Sequence, residues 1–427
     1  MEWPKVEKVL INGENVMQVY RYPNRMKAHE QEVKPARGQY NFFGIDVIKW
    51  NSMDWKSFSD VPFLDKNIWI IFSCEPRLIN EFEETGILNK IINFWKNGYD
   101  GIETINVIFE QAWEGELKPH TDWLNYVHTH IPQKFSKFIH FVNADVNLKE
   151  SYEKRFTNTR VFGNLHSFPF YWGLEYKHLV SSGYVNQVKT FNPYRSKHYI
   201  CLNAFIKLHR ALLLFELDKN KLEEYGYISA LGRYMGKFGS TMKLKIKSLT
   251  WDSEPNIYLS DSVGMKYLQH FERWVSTRQQ LRKLDMGVAQ MESVWMGDKF
   301  IPLKQMEDSW VNVVVESIIS QSNLFVTEKT WKAFVNYQIP LVFGCRGINK
   351  YLKSLGYDLF EDIFDLSYDD GLPHERLFGV VENIKKLCSM DVDNFIQYED
   401  RLQKNRELFF NTDYGREEKL SMIGVIK

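Results

Sequence analysis

The run Phe325-Val326-Thr327-Glu328-Lys329-Thr330 places a hydroxyl, a carboxylate and an ammonium where an apolar stretch gives way to a helical pattern. A threonine hydroxyl at that junction can cap the helix, whose positive end then faces the carboxyl ends of the neighbouring strands. Such an end suits a diphosphate. Lys329 adds a point charge for its oxygens, and Glu328 can accept hydrogen bonds from ribose hydroxyls. The same residues also simply begin a helix well, and spacing alone does not choose between the two readings. Upstream, Asn203 closes an apolar run and is followed by His209-Arg210. A strand end, a polar amide and a guanidinium early in a helix can form a phosphate fork. The alternative for His209-Arg210 is solvated helix surface.

These residues need elements to position them. Ile68–Phe72 reads as a buried strand and is followed by a Leu-, Ile- and Phe-rich helix to about Trp95. Next come a strand over Ile105–Phe109, a helix around Trp123–His128 and a strand over Phe138–Val142. Strands alternating with helices imply βαβ units and a parallel sheet. Gly183–Lys197 is polar, with Asn192-Pro193 as a turn signal, and is a candidate linker. The pattern then restarts with a strand at Tyr199–Leu202 and a helix over Leu208–Leu217. It continues with a strand at Trp310–Val315, a helix over Glu328–Asn336, a strand at Ile339–Phe343 and a helix over Asn349–Leu355. A last helix runs from about Asp393 to Phe409, with Phe395, Tyr398, Leu402 and Phe409 at helical spacing and Asp391 or Asp393 able to cap it.

The 427 residues suit two domains. The predicted boundaries are 1–190, 191–390, and a C-terminal helix and tail over 391–427. The expected fold class is α/β: two Rossmann-like domains facing a cleft, with a terminal helix able to cross back and brace it. Lys+Arg and Asp+Glu both total 54, and each half is close to neutral, so no global field draws the chain to nucleic acid or membrane. The N-terminus lacks a signal-peptide pattern and the longest apolar runs are far too short to span a bilayer, so a soluble cytoplasmic location without membrane insertion is expected. Cys74, Cys201, Cys345 and Cys388 lie far apart and form no C-x-x-C pair, which predicts core residues rather than a zinc site or disulfide scaffold.

Val314-Val315-Glu316 through Phe325–Thr330, followed by Ile339-Pro340-Leu341-Val342-Phe343-Gly344, resembles the donor-binding region of the α-1,3-fucosyltransferase family. It also resembles phage-encoded relatives that continue into a Ser-Tyr-Asp element, here Ser367-Tyr368-Asp369. The resemblance implies a GT-B fold with the nucleotide held by the C-terminal domain. It implies that Lys329 neutralises the diphosphate, Glu328 holds the ribose and Phe325 lies near the base. Glu316 matches the family's preceding acidic residue, although Ser317 stands where the family usually has Asn. Lys197–Asn203 with His209-Arg210 is similar to the family's strand-loop-helix carrying an Arg on the donor phosphates. Ala204-Phe205 depart from the further Arg residues of relatives. Ile70–Pro76 resembles the family strand that ends in the proposed catalytic base, which would be Glu75. The Ser usual between that Glu and Pro is missing here.

One carboxylate is what inverting transfer needs, to take the acceptor hydroxyl's proton as it attacks the anomeric carbon. Glu110, Glu114 and Glu116 are rivals for the role, with a solvated acidic loop as their alternative. The expected activity is thus transfer of a hexosyl or fucosyl group from a nucleotide-sugar donor. A glycan acceptor is expected first, and a hydroxymethylated pyrimidine in phage DNA second. A non-catalytic nucleotide-sugar-binding or structural viral protein is the reading from another class. No metal or other cofactor is expected.

Other motifs carry less. Gly232–Lys237 hints at a phosphate loop but fails Walker spacing. Asp391-Val392-Asp393 has the Asp-x-Asp form of metal-dependent transferases, yet capping explains it. His128-Thr129-His130 offers two ligands on one strand face without a third. The basic stretch Arg233–Lys247 reads as a solvated face or a phosphate contact. The aromatic run His166–Trp172 reads as packing or a sugar-stacking surface.

Overall fold

The computed structural model describes residues 104–111, 122–156, 161–203, 207–230 and 303–412 with few gaps. It also describes 67–73, parts of 79–98 and of 269–274, and short strands before residue 50. Contacts divide the chain into two units, Met1–Phe168 with Arg416–Lys427, and Pro169–Gly415. Both units are α/β and built on parallel sheets.

The first unit opens with a hairpin of β1 (Val9–Ile11) and β2 (Glu14–Val16) and a parallel pair of β3 (Tyr20–Arg21) and β4 (Ile48–Lys49). Its main sheet contains β5 (Asn67–Ser73), β6 (Thr104–Gln111), β7 (Ile139–Asn143) and β8 (Asn164–Ser167), hydrogen-bonded in chain order and all parallel. The connections carry α1 (Ile87–Asn97), α2 (Asp122–His130) and α3 (Leu148–Arg155). Strand residues alternate between faces, so Val107, Phe109, Ile139 and Phe141 share one face. There they join Leu88, Ile91, Trp123, Val127 and Tyr152 in one core. Aromatic rings dominate it: Phe109 stacks on Trp123 at 5.8 Å, and Phe162 lies 5.1 Å from Phe141.

The second unit begins with α4 (Tyr171–Ser181). Its sheet runs β10-β9-β11-β12, with β9 (Lys197–Asn203), β10 (Gly226–Ala230), β11 (Ser309–Val315) and β12 (Ile339–Phe343) all parallel. Every residue of β11 and β12 is buried, which is why both read as continuous apolar runs. Pro340 has no N–H to donate, and β12 lies at the edge of the described sheet, where that loss is tolerated.

Further helices described in this unit are α5 (Leu208–Lys219), α6 (Leu303–Glu307), α7 (Glu328–Val335), α8 (Ile348–Ser354), α9 (Pro373–Cys388) and α10 (Glu399–Asn411). The segment read as a linker is irregular backbone held to this unit. Val188 N–H donates to Asn336 Oδ1 at 2.8 Å, and Arg195 Nη1 donates to the carbonyls of Ser309 and Tyr337, each at 2.8 Å. The expected last helix divides into a 3-10 turn, Val392–Tyr398, and α10. Asp391 caps the turn by accepting from Asp393 N–H. Arg401 on α10 forms paired bonds to Asp358 and Asp362, at 2.6 and 2.8 Å, and fixes the helix to the preceding loop.

On the sheet face of the first unit opposite its aromatic core, His140 Nδ1 and His166 Nε2 are 3.0 Å apart and share one proton. Burial, and then His166, push the His140 imidazole down to about 3, and burial lowers His166 as well. Both rings stay neutral in the fold while the unfolded chain takes up protons below its ordinary 6.5. The stability contributed is therefore present above that value and is lost as pH falls toward the folded value. We expect the unfolding free energy to drop on the order of 2–3 kcal/mol between pH 7 and pH 4 through this pair. Denaturant titrations of His140→Gln should show a shallower slope across that range. An unaltered slope would mean that the imidazoles titrate as freely in the fold as out of it.

Candidate functional site

From the central pair β9 and β11 the chain leaves in opposite directions. β9 leads through α5 to β10 on one side, and β11 leads through α7 to β12 on the other. Right-handed crossovers place α5 and α7 on opposite faces of the sheet. The carboxyl ends of β9 and β11 therefore form a topological switch point, where open α/β sheets bind ligands. Asn203 ends β9, and Glu316 and Ser317 follow β11.

The Glu316 carboxylate is buried and turned to the start of α7. Its Oε1 accepts from Thr327 N–H at 3.0 Å and Thr330 Oγ1 at 2.7 Å, and its Oε2 accepts from Thr327 Oγ1 at 2.5 Å. Thr327 also caps α7, accepting from Lys329 N–H. The positive end of this helix thus already faces a built-in anion. Gly344 closes the other side: a Cβ there would come within 3.2 Å of Glu316 Cγ and 2.8 Å of Ile348 Cδ1.

The backbone around Glu316 is tied to α5. Arg210 Nη2 donates to the carbonyls of Val315 and Glu316 at 3.2 and 3.3 Å, His209 Nε2 donates to Glu316 O at 3.0 Å, and Lys207 Nζ donates to Ser317 O at 2.6 Å. Arg210 is only 3% exposed. Burial, then Arg210 and Lys207, drive the His209 imidazole well below its ordinary range, so it serves as a neutral donor.

Lys329 folds back over the same place. Its ammonium donates to Ser317 Oγ at 3.1 Å, Thr327 Oγ1 at 3.2 Å and Glu328 Oε1 at 2.9 Å. Burial raises the Glu328 carboxyl, but Lys329 and Lys332 outweigh it and hold the group at about 2. Asn203, Arg210, Glu316, Thr327, Glu328 and Lys329 therefore gather at the switch point. Phe325 is a buried residue of the loop entering α7. Glu75 lies outside the described residues, two positions beyond the end of β5, as do Glu114 and Glu116. Glu110 is on β6, in register with Ser73 and Val142.

Lys207 and the backbone role of Ser317 escaped the sequence reading. The signal for Lys207 was present: it is the N-cap of α5 and makes no side-chain cap. A cation at that position runs against the helix dipole.

The remaining motifs are scaffold, or lie outside the described residues. Asp369 accepts from Asn349 Nδ2 and Lys350 N–H, each at 3.0 Å, and Tyr368 OH donates to Val342 O, so this element anchors α8. His128 and His130 are on α2 and not on a strand. His128 stacks on Phe156 and His130 on Tyr126, so they share no metal-binding face. Among the described residues no cluster of three or more His, Cys, Asp or Glu could hold a metal. Cys201 and Cys345 are buried, and burial pushes the Cys201 thiol up to about 12. Gly232–Lys237 and the basic stretch Arg233–Lys247 lie outside the described residues. No helix among the described residues is long and apolar enough to cross a membrane. Comparison with protein-family models, curated proteins and solved structures finds no match to the chain.

Two consequences follow for stability. Glu316→Ala leaves the Thr327 N–H and two hydroxyls buried without their acceptor, and should cost roughly 3–5 kcal/mol by denaturant unfolding. Thr330→Val, which removes one donor, should cost about 1 kcal/mol. Equal costs would show that the carboxylate is not the anchor.

Glu328 has a folded value below its ordinary 4.5. Its contribution is complete above that pH and is lost as pH falls toward about 2. Glu328→Gln should flatten the stability profile between these limits by on the order of 2 kcal/mol. A wild-type slope in the variant would place Glu328 outside the Lys329 contact.

Proposed function

We propose that the protein is a nucleotide-sugar-dependent glycosyltransferase whose C-terminal unit binds the donor. The observation that carries the reading is the convergence of Lys207, Lys329 and Glu328 on the switch point between β9 and β11. That position is where a parallel α/β sheet holds a nucleotide, and the groups are those a nucleoside diphosphate needs: ammonium groups for phosphoryl oxygens and a carboxylate for ribose hydroxyls. Glu328 stays ionised at physiological pH, with Oε1 on the Lys329 ammonium, and a carboxylate has further acceptor capacity for hydroxyls. The resemblance of Phe325–Thr330 and its flanking strands to the fucosyltransferase donor region supports the same assignment.

The reading extends to a GT-B-like pairing in which the N-terminal unit presents the acceptor and Glu75. The acceptor hydroxyl oxygen attacks the anomeric carbon, and its proton passes to the Glu75 carboxylate. The bond from that carbon to the phosphate oxygen breaks, and the nucleoside diphosphate leaves with the electron pair. Positive groups at the switch point stabilise its growing charge, and attack from the opposite side inverts the anomeric centre. A glycan hydroxyl is the acceptor class assigned. The neutral charge balance of the chain weighs against a duplex-DNA acceptor.

A thermal-shift panel of nucleoside diphosphates and nucleotide sugars tests the donor assignment. At about 100 times its dissociation constant, a ligand that binds only the folded state adds about 2.7 kcal/mol of stability. One base should give a clear rise in Tm, and Lys329→Met should abolish it. A panel with no stabilising member would overturn the donor site. With that donor, release of nucleoside diphosphate onto glycan acceptors, against hydroxymethylated DNA as the second arm, identifies the acceptor. Unchanged turnover in Glu75→Gln would remove the assigned base.

A further inference from the structure

Two helices start at the switch point, and their N-termini are not equivalent. The start of α7 is occupied by the Glu316 carboxylate, which accepts the Thr327 N–H and the hydroxyls of Thr327 and Thr330. A second anion there would meet a buried negative charge. α5, twelve residues long, has Lys207 at its N-cap with no side-chain cap. The ammonium groups of Lys207 and Lys329 meet on one residue, Lys207 at the Ser317 carbonyl and Lys329 at its hydroxyl.

An independent observation points to a ligand at the same edge. Asn203, the last residue of β9, is 0% exposed, and its Oδ1 has no hydrogen-bond partner among the described residues. Its Nδ2 lies 3.3 Å from Cys201 Sγ. By strand alternation Asn203 shares a face with Tyr199 and Cys201, which belong to one core cluster with Ala211, Leu212, Leu213, Leu214, Phe215 and Leu217 of α5. Its amide is thus aimed beneath the first turn of α5. A half-turn of the amide puts its oxygen on the Cys201 thiol and offers N–H donors to an anion.

We infer that a phosphoryl group is held at the start of α5 by Lys207, Lys329 and the Asn203 amide, and that Arg210 positions this site without contacting the ligand. The inference rests on reading the switch point as the donor site, and it reassigns the second cation from Arg210 to Lys207. Arg210 is buried with Nη2 on the Val315 and Glu316 carbonyls, so it holds the end of β11 against α5.

Inorganic pyrophosphate, titrated calorimetrically into the full chain at low and high salt, isolates the anion site from base and sugar. Lys207→Gln should weaken pyrophosphate binding about tenfold or more and reduce its salt dependence, because one charged donor is lost. Lys207→Arg should restore both, and the salt dependence separates a charge on the ligand from a tether to Ser317, whose loss would not change it. Arg210→Lys should lower Tm and leave pyrophosphate affinity within about threefold. Arg210→Gln serves as the second variant if it folds.

Failure of the wild type to bind pyrophosphate, or equal binding by Lys207→Gln, would overturn the inference. So would a loss of affinity confined to the Arg210 variants. Lys207-dependent pyrophosphate binding without binding of any nucleoside diphosphate would leave the inference standing and remove the glycosyltransferase reading.

Discussion

The Glu316 carboxylate is a buried anion whose neighbours are the first turn of a helix and two threonine hydroxyls, and the geometry of the second unit depends on that contact. Burying a carboxylate is costly unless it is fully hydrogen-bonded. Its four donors at 2.5 to 3.3 Å and the positive end of α7 supply that compensation. The carboxylate therefore fixes where α7 begins relative to β11. Gly344 keeps the end of β12 close enough to enclose it. Through its main chain the same residue is bonded to His209 and Arg210, so α5 is registered to β11 at the same point. One residue thus sets the positions of both helices that border the switch point.

This arrangement separates two roles that charge alone would merge. Arg210 and His209 lie deep and donate to backbone carbonyls, where they act as structure. Lys207 and Lys329 lie nearer the edge and donate to Ser317, and Lys329 to Glu328 as well. A guanidinium presents a rigid fork suited to paired carbonyls. An ammonium on a flexible stem can turn from a serine to a ligand oxygen at little cost. The side chains best able to reach an anion are accordingly the two lysines.

Much of the fold was legible because it rests on periodicity. β11 and β12 are buried along their whole length, so their apolar runs, with Pro340 tolerated at an edge, identify them. Thr327 as the cap of α7 was legible for a local reason, since the cap needs only residues within one turn. Contacts between distant segments were not legible. Nothing in Glu316-Ser317 announces that the carboxylate turns to one helix while the carbonyls turn to another. Nor does the spacing of His209-Arg210 show that both donate to the end of a strand about a hundred residues later. The Ser367–Asp369 element was noticed for its likeness to a motif, yet it packs as an anchor for α8. The helix expected over 393–409 is divided into a 3-10 turn, capped by Asp391, and α10.

Topology gives an independent reason to assign ligand binding to the second unit. In the first unit β5, β6, β7 and β8 follow one another in chain order, so each crossover steps the same way and no switch point arises among the described strands. Its carboxyl edge is also closed by internal bonds. Asn143 donates to Gln111, Asp145 N–H donates to Asn143, and Ser151 and Asn147 donate to the Asp145 carboxylate. Ser167 donates to the Asp145 carbonyl and completes the network. Polar groups that satisfy one another in this way rigidify an edge and leave little for a ligand to replace. At the second unit's switch point, by contrast, two ammonium groups rest on the carbonyl and hydroxyl of one serine. Those are contacts that an incoming phosphoryl group can improve, which is the physical condition for a binding site.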